Sequence, residues 1–294
     1  MSPAAHSPAT VSATASPSTE PIESTIEHDG YRTYYLTSGS GPAIVLLHGS
    51  GPGVSARANW QLTMKSVLAQ RFTLIAPDIV GFGVTEQEPE VVLTHDNRVA
   101  HIVSFLRALG LGPVGLVGNS MGGSIGLGVA ARYPELVARM VLMGTAGVSF
   151  PVTPQVDQLY GYTPSEENMR GIFELMAFDK SRVTPELVRS RYEATTSPEV
   201  AERWAKLFPA PRQRHVDDAA LPFATLANIS TPTLLIHGVQ DRVVPVRATS
   251  LNLVEVMPNA DLVVLGRCGH WAQVERSEKF VSEVERFFSQ GDRP

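Results

Sequence analysis

Apolar and polar positions change rhythm several times along this chain. They alternate in two short runs, Ile22 to His28 and Tyr31 to Thr37, around Asp29-Gly30. Alternation broken by Asp-Gly predicts a β-hairpin. From Ala43 onward, short continuous apolar runs give way to longer stretches with helical spacing. The run Ala43 to Leu47 precedes a predicted helix near Asn59 to Gln70. The run Phe72 to Ala76 ends at Pro77-Asp78. A predicted helix over Asn97 to Leu109 leads to the run Val114 to Val117, and another over Ser124 to Tyr133 leads to Met140 to Met143. The rhythm returns with Pro232 to His237, a helical stretch from Val246 to Val256, and a strand from Asp261 to Leu265. Strands that are apolar throughout and alternate with helices predict a parallel sheet covered on both faces.

Three glycine-rich junctions in this pattern carry chemistry. The first is Gly118-Asn119-Ser120-Met121-Gly122-Gly123, between a predicted strand and a predicted helix. G-x-S-x-G in that context is a sharp turn that lifts the serine hydroxyl above the sheet. Without the context it would be a glycine-rich turn with an incidental serine. The second is Gly238 to Pro245, which places Asp241 just past a strand end. The third is Gly266-Arg267-Cys268-Gly269-His270-Trp271, one helix and one strand later. The order Ser120, Asp241, His270 is that of the α/β-hydrolase fold. In such a set His270 takes the Ser120 proton, and Asp241 fixes the imidazole tautomer and stabilises its cation. His48-Gly49-Ser50-Gly51-Pro52-Gly53 follows the strand Ala43 to Leu47 and offers a backbone N–H to an oxyanion, with Met121 as the second donor. A phosphate cradle is the rival reading of that loop. It lacks the Lys-Ser/Thr ending of a P-loop, and no G-x-G-x-x-G follows the strand.

Between about Thr145 and Leu221 the strand–helix alternation stops. Thr163-Pro164, Thr184-Pro185 and Ser197-Pro198 each read as an N-cap followed by proline at the first helical position, and Glu166 completes a capping box with Thr163. An insertion at this point is where hydrolases of this fold carry a lid that excludes water and shapes the pocket. Arg191 shares a helix face with Leu187 and Val188. Spacing leaves three roles open for it: a contact in the cleft, a buried ion pair, or a stem snorkelling to the edge. The expected division is a disordered tail over 1–21, core over 22–145, helical lid over 146–220, and core again over 221–294.

Composition narrows the picture. The tail is mostly Ala, Ser, Thr and Pro without Lys or Arg, so it has neither the basic start nor the apolar core of a signal peptide. Net charge is −5 and no basic run stands out, which argues against nucleic acid. No stretch approaches the length of a transmembrane helix. Cys268 is the single cysteine, so no intrachain disulfide can form; this suits the cytoplasm, and the thiol reads as a small filler. His48, His95, His101, His215 and His237 show no ligand spacing, so structural or surface roles are expected and no metal or cofactor is called for. The expected partner is a small-molecule substrate, with a homo-oligomer left open.

The chain from about Ile22 onward resembles the meta-cleavage product hydrolases, which cut carbon–carbon bonds in ring-opened catechols. The resemblance rests on His48 to Gly53 with Asn59-Trp60, on Asn119 to Gly123, and on Cys268 to Gln273. Pro77 to Gly83 and Phe208 to Arg214 look most like the 2-hydroxymuconic semialdehyde hydrolases, and Gly49-Ser50-Gly51 in place of three glycines points the same way. The resemblance implies a catalytic set of Ser120, Asp241 and His270. It implies oxyanion donors at Gly51 and Met121, with Ser50 beside them. It makes Arg191 the carboxylate-binding arginine and puts Asn119, Asn59 and Trp271 around the dienoate. The same serine chemistry would serve a carboxylesterase, and a slow-turnover ligand sensor of this fold is a further alternative.

Overall fold

The computed structural model describes residues 20–88 and 93–290. The expected tail over 1–21 lies, except for Glu20 and Pro21, outside the described residues. The hairpin forms as expected, from β1 (Ile22–His28) and β2 (Tyr31–Ser38). Next come β3 (Ala43–Leu47), α1 (Ala56–Met64), β4 (Thr73–Pro77) and the short β5 (Glu86–Gln87). Then follow α2 (His95–Ala108), β6 (Val114–Asn119), α3 (Met121–Arg132) and β7 (Val137–Met143).

Between β7 and the next strand lie six helices: α4 (Pro154–Tyr160), α5 (Glu166–Met176), α6 (Pro185–Glu193), α7 (Pro198–Leu207), α8 (Gln213–Asp218) and α9 (Phe223–Leu226). The chain closes with β8 (Thr233–Gly238), α10 (Ser250–Val256), β9 (Ala260–Leu265), α11 (Ala272–Glu275) and α12 (Ser277–Ser289). The nine strands form one sheet in the order β1-β2-β4-β3-β6-β7-β8-β9, with β5 paired to β2. From β4 to β9 all neighbours are parallel, so β3, β6, β7, β8 and β9 end on one edge. That edge carries every glycine-rich junction singled out above.

The strands are apolar throughout because both faces are buried. Val45, Leu47, Leu116, Met140 and Leu142 pack into one core with α2 and α3. Their neighbours Ile44, Leu46, Val117, Val141 and Met143 pack into the other with Trp60 and Phe280. Period-two alternation therefore sorts residues between two cores rather than between core and water.

Three local expectations need correction. The helix expected near Asn59 to Gln70 is two pieces. Ser55 caps α1 through the Ala58 N–H, and Ser66 caps a separate single turn over Val67–Gln70. The start expected at Thr163 falls at Ser165, whose hydroxyl accepts from Asn168 N at 3.0 Å. Thr163 instead accepts from the Asn168 side chain, so no Thr163–Glu166 capping box forms. A further hydroxyl–proline start, Thr153-Pro154, caps α4 through Val156 N at 3.1 Å. Thr184 and Ser197 cap α6 and α7 as expected.

Sequence reading did not anticipate α12, yet it covers one face of the sheet. Phe280 is fully buried and stacks on Trp60 of α1 at 6.4 Å. Phe280→Ala is expected to lower stability by about 3–5 kcal/mol. A urea titration that shows no shift in midpoint would mean that α12 is not part of the core.

Candidate active site

Ser120 stands between the last residue of β6 and the first of α3, with φ 53° and ψ −113°. A side chain in that region is strained and persists only when the surroundings hold it. Here they do. Ser120 N donates to Met143 O at 2.9 Å, and Ser120 O accepts from Gly123, Ser124 and Ala146. The helix backbone presses against the end of β3: a Cβ on Gly122 would lie 2.2 Å from Leu47 O, so only glycine fits. The Met121 N–H, first of α3, meets no acceptor among the described residues. Neither does the Gly51 N–H on the facing loop.

That loop is shaped by His48. Its Nε2 accepts from Ile79 N at 2.9 Å, so Nδ1 carries the proton and donates to Gly49 O at 2.8 Å. Burial holds the His48 pKa below the ordinary value, which keeps this neutral form in place.

Asp241 and His270 meet at the same edge. His270 Nδ1 donates to Asp241 Oδ2 at 2.7 Å, which leaves Nε2 as the acceptor. Asp241 Oδ1 accepts from Val243 N and Val244 N, both at 2.9 Å. His237 Nε2 lies 3.2 Å from Asp241 Oδ2. Burial would raise the Asp241 pKa, but the facing His270 and His237 hold it well below the usual carboxylate range. His237 was expected to be structural; it is a positioning residue for Asp241, itself anchored by Ser250 Oγ at 2.7 Å. Its place four residues before the aspartate was the signal available in the sequence.

The His270 loop is pinned from two sides. A Cβ on Gly238 would lie 2.2 Å from Gly269 O, so the loop rests directly on the end of β8. Glu275, also unremarked in the sequence, accepts from Gly269 N on one oxygen and from Phe178 N and Asp179 N on the other. His270 N donates to Met176 O at 2.7 Å. The inserted helices and the catalytic edge are thus hydrogen-bonded together. No hydrogen bond joins Ser120 Oγ to His270 among the described residues; Met143 and Gly144, which contact Ser120 and His270 respectively, bridge the two. Unliganded hydrolases often tighten this contact only when substrate arrives.

The remaining expected residues gather beside this set. Arg191 of α6 packs its stem on Gly53, points Nη2 toward Ala58 O at 3.5 Å, and lies 6.0 Å from the Phe173 ring centroid. Phe173 meets Trp271 edge-on at 5.0 Å. Burial pushes Arg191 down to about 10, and no carboxylate pairs with it among the described residues. The buried Asn59 Nδ2 has no acceptor. Asn119 is different: its Nδ2 donates to Met143 O at 3.3 Å, and its Oδ1 faces Gly49. Cys268 is buried and its thiol is pushed up to about 12 by burial, so it is inert as a nucleophile. No cluster of His, Cys, Asp and Glu among the described residues could hold a metal ion, and no described helix is long and apolar enough to cross a membrane.

The Asp241 shift has a sign that can be tested. Its folded pKa lies below its unfolded value of 3.8, so the stabilisation is fully present above that pH and is lost as pH falls toward the folded pKa. The gap in urea midpoint between wild type and Asp241→Asn is expected to narrow as pH is lowered from 5 to about 2. A gap independent of pH would show that the carboxylate charge contributes nothing to folding.

A profile of the α/β-hydrolase fold matches residues 42–277. A 2-hydroxymuconate semialdehyde hydrolase from Pseudomonas sp. strain CF600 is 45% identical over 90% of this chain and 92% of its own length. A 2-hydroxy-6-oxo-2,4-heptadienoate hydrolase from Pseudomonas putida is 44% identical over 90% and 95%. Among solved structures, a serine-to-alanine mutant of the meta-cleavage product hydrolase CumD from Pseudomonas fluorescens IP01, complexed with acetates, has a TM-score of 0.88 at 44% identity, covering 90% of this chain and 97% of that one. Sequence, sheet order and catalytic edge agree: the chain belongs to the α/β-hydrolase family, among its meta-cleavage product hydrolases.

Proposed function

We propose that this chain hydrolyses the C5–C6 bond of 2-hydroxy-6-oxohexa-2,4-dienoate-type ring-fission products. The products are 2-hydroxypenta-2,4-dienoate and a carboxylic acid. The observation that carries this reading is Arg191, a half-buried cation with no carboxylate partner among the described residues, together with the orphan donor of Asn59. An unpaired buried charge is costly unless an anion completes it. A planar guanidinium grips a carboxylate through two parallel hydrogen bonds. A neutral ester would leave Arg191 unanswered.

In this reading the helices over 146–220 act as the lid, and the dienoate lies between Arg191 and the catalytic edge. Arg191 donates to the C1 carboxylate. Asn59, with Asn119 beside it, donates to the 2-oxygen as charge moves there, and Trp271 and Phe173 wall the flat conjugated chain. Ketonisation moves the 2-hydroxyl proton to C5, so that C5 can leave with its electrons delocalised as a dienolate. Ser120 Oγ then attacks C6 and passes its proton to His270 Nε2. The C6 oxyanion accepts from the Gly51 and Met121 N–H groups, with Ser50 adjoining. The C5–C6 bond breaks, the imidazolium of His270 gives its proton to the departing dienolate, and water, activated by the neutral His270, then releases the acid from Ser120. Asp241 keeps its negative charge throughout and supports the imidazolium.

Ser120→Ala is expected to lower kcat by roughly 10⁴–10⁶-fold while substrate still binds. Retention of more than about a tenth of the activity would remove Ser120 from the nucleophile role. Arg191→Gln separates carbon–carbon cleavage from simple esterase action. It is expected to lower kcat/KM for ring-fission substrates about 10²-fold or more, through loss of a charge-assisted contact and misorientation of C6. Hydrolysis of p-nitrophenyl acetate, which offers no carboxylate, should hardly change. Equal damage to both substrates would make Arg191 a prop for the lid, and no damage to either would favour the esterase.

A further inference from the structure

The loop that carries His270 is held by a carboxylate that the reaction above does not use. Glu275, the last residue of α11, is buried, and its two oxygens serve two separate segments of the chain. Oε1 accepts from Gly269 N at 2.8 Å, one residue before the base. Oε2 accepts from Phe178 N at 2.8 Å and from Asp179 N at 2.9 Å, in the segment that follows α5. Hydrogen bonds to a charged acceptor are stronger than neutral ones, and this carboxylate gathers three of them.

The two segments also meet directly. His270 N donates to Met176 O at 2.7 Å. A Cβ on Gly269 would lie 2.3 Å from Met176 O and 2.8 Å from Phe178 N, so backbone rests on backbone. One turn back in α5, Phe173 meets Trp271 edge-on at 5.0 Å. Trp271 O accepts from Glu275 N at 2.8 Å, which closes the loop on itself. The backbone from Gly269 to Trp271 is thus held by Glu275 and by the end of α5. The imidazole is held through Nδ1 by Asp241 at 2.7 Å. Asp241 fixes how the ring is turned. Where the ring stands along the catalytic edge is set by its backbone, and therefore by Glu275.

We propose that Glu275 is a positioning residue for His270: its carboxylate straps the base to the end of α5, so that His270 Nε2 and the Phe173–Trp271 pair keep one fixed relation. The proposal rests on His270 acting as the base in the reaction above, and not on which bond is cleaved. Two acceptor oxygens are what the place demands. A glutamine there has one oxygen. Its amide would turn N–H groups toward either Gly269 N or the Phe178 and Asp179 N–H pair, and would leave a buried donor unanswered. The His270 loop could then shift relative to Ser120, and a misplacement of about 1 Å costs about 10²-fold in rate.

Glu275→Gln tests the strap. Inactivation by a fluorophosphonate reports attack by Ser120 with His270 as base and needs no dienoate. Its rate should fall about 10- to 100-fold. The kcat for p-nitrophenyl acetate should fall by a similar factor with KM little changed. Glu283→Gln is the control, since it removes another buried carboxylate, one paired with Lys279 and Arg286 in α12, and should leave both rates unchanged. An unchanged rate in Glu275→Gln, a rise in KM alone, or equal slowing in the two variants overturns the proposal. Native-state hydrogen exchange on the wild type needs no variant and decides the matter if Glu275→Gln does not fold. The amides of Gly269, Phe178 and Asp179 should open together, with the same dependence on urea, because one carboxylate holds all three. Independent opening overturns the proposal. If the wild type reacts with the fluorophosphonate but consumes no ring-fission product, the carbon–carbon reading fails and the inactivation rates still decide for or against the strap. A wild type that the fluorophosphonate does not label overturns the proposal, because His270 then activates no serine.

Discussion

The arrangement at the catalytic edge depends on one close approach of backbone to backbone. The chain leaves β6 at Asn119, turns through Ser120 at positive φ, and enters α3 so tightly that Gly122 rests on Leu47 O. This contact does three things together. It sets Ser120 at the junction of β6 and α3, makes Met121 the first residue of the helix, and holds α3 against Leu47 and His48 at the end of β3. The strain at Ser120 is held by the hydrogen bond that Ser120 N donates to Met143 O and the one Ser120 O accepts from Ala146 N, so this turn is locked to β7 and the loop after it. The Asp241–His270 pair arrives at the same edge because β8 and β9 run parallel to β6 and end beside it.

Buried charge is the second organising feature, and it is handled in two ways. Asp241 is answered by the protein: two backbone N–H groups and two histidines surround it, and its charge is stabilised despite full burial. Arg191 has no carboxylate partner among the described residues. The first pattern builds a fixed catalytic group. The second leaves a site whose electrostatics are completed only by a ligand.

Much of this was legible in the sequence because it is local. The strand Ala43–Leu47 reads directly from its apolar run, and Ser120 from glycines two residues on either side. What was not legible depends on contacts distant along the chain. Whether Thr163 or Ser165 caps α5 is decided by where Asn168 points. The break after Met64 follows from Ser66 starting its own turn. His237 looks like an ordinary strand residue until the turn after Gly238 folds Asp241 back onto it. Arg98 is buried where α2 meets Phe82, and no local pattern in the sequence marks that contact. For Arg191, spacing placed it on the packed face but could not choose between cleft, ion pair and edge, and no carboxylate pairs with it among the described residues, which removes the ion pair.

The central claim is that this catalytic edge breaks a carbon–carbon bond in a ring-opened dienoate. The most direct measurement mixes the purified chain with 2-hydroxymuconic semialdehyde, follows the dienolate absorbance, and identifies the products by NMR. The account predicts loss of the chromophore with formation of 2-hydroxypenta-2,4-dienoate and formate in equal amounts. Persistence of the dienolate under conditions where the same preparation hydrolyses p-nitrophenyl esters would contradict it.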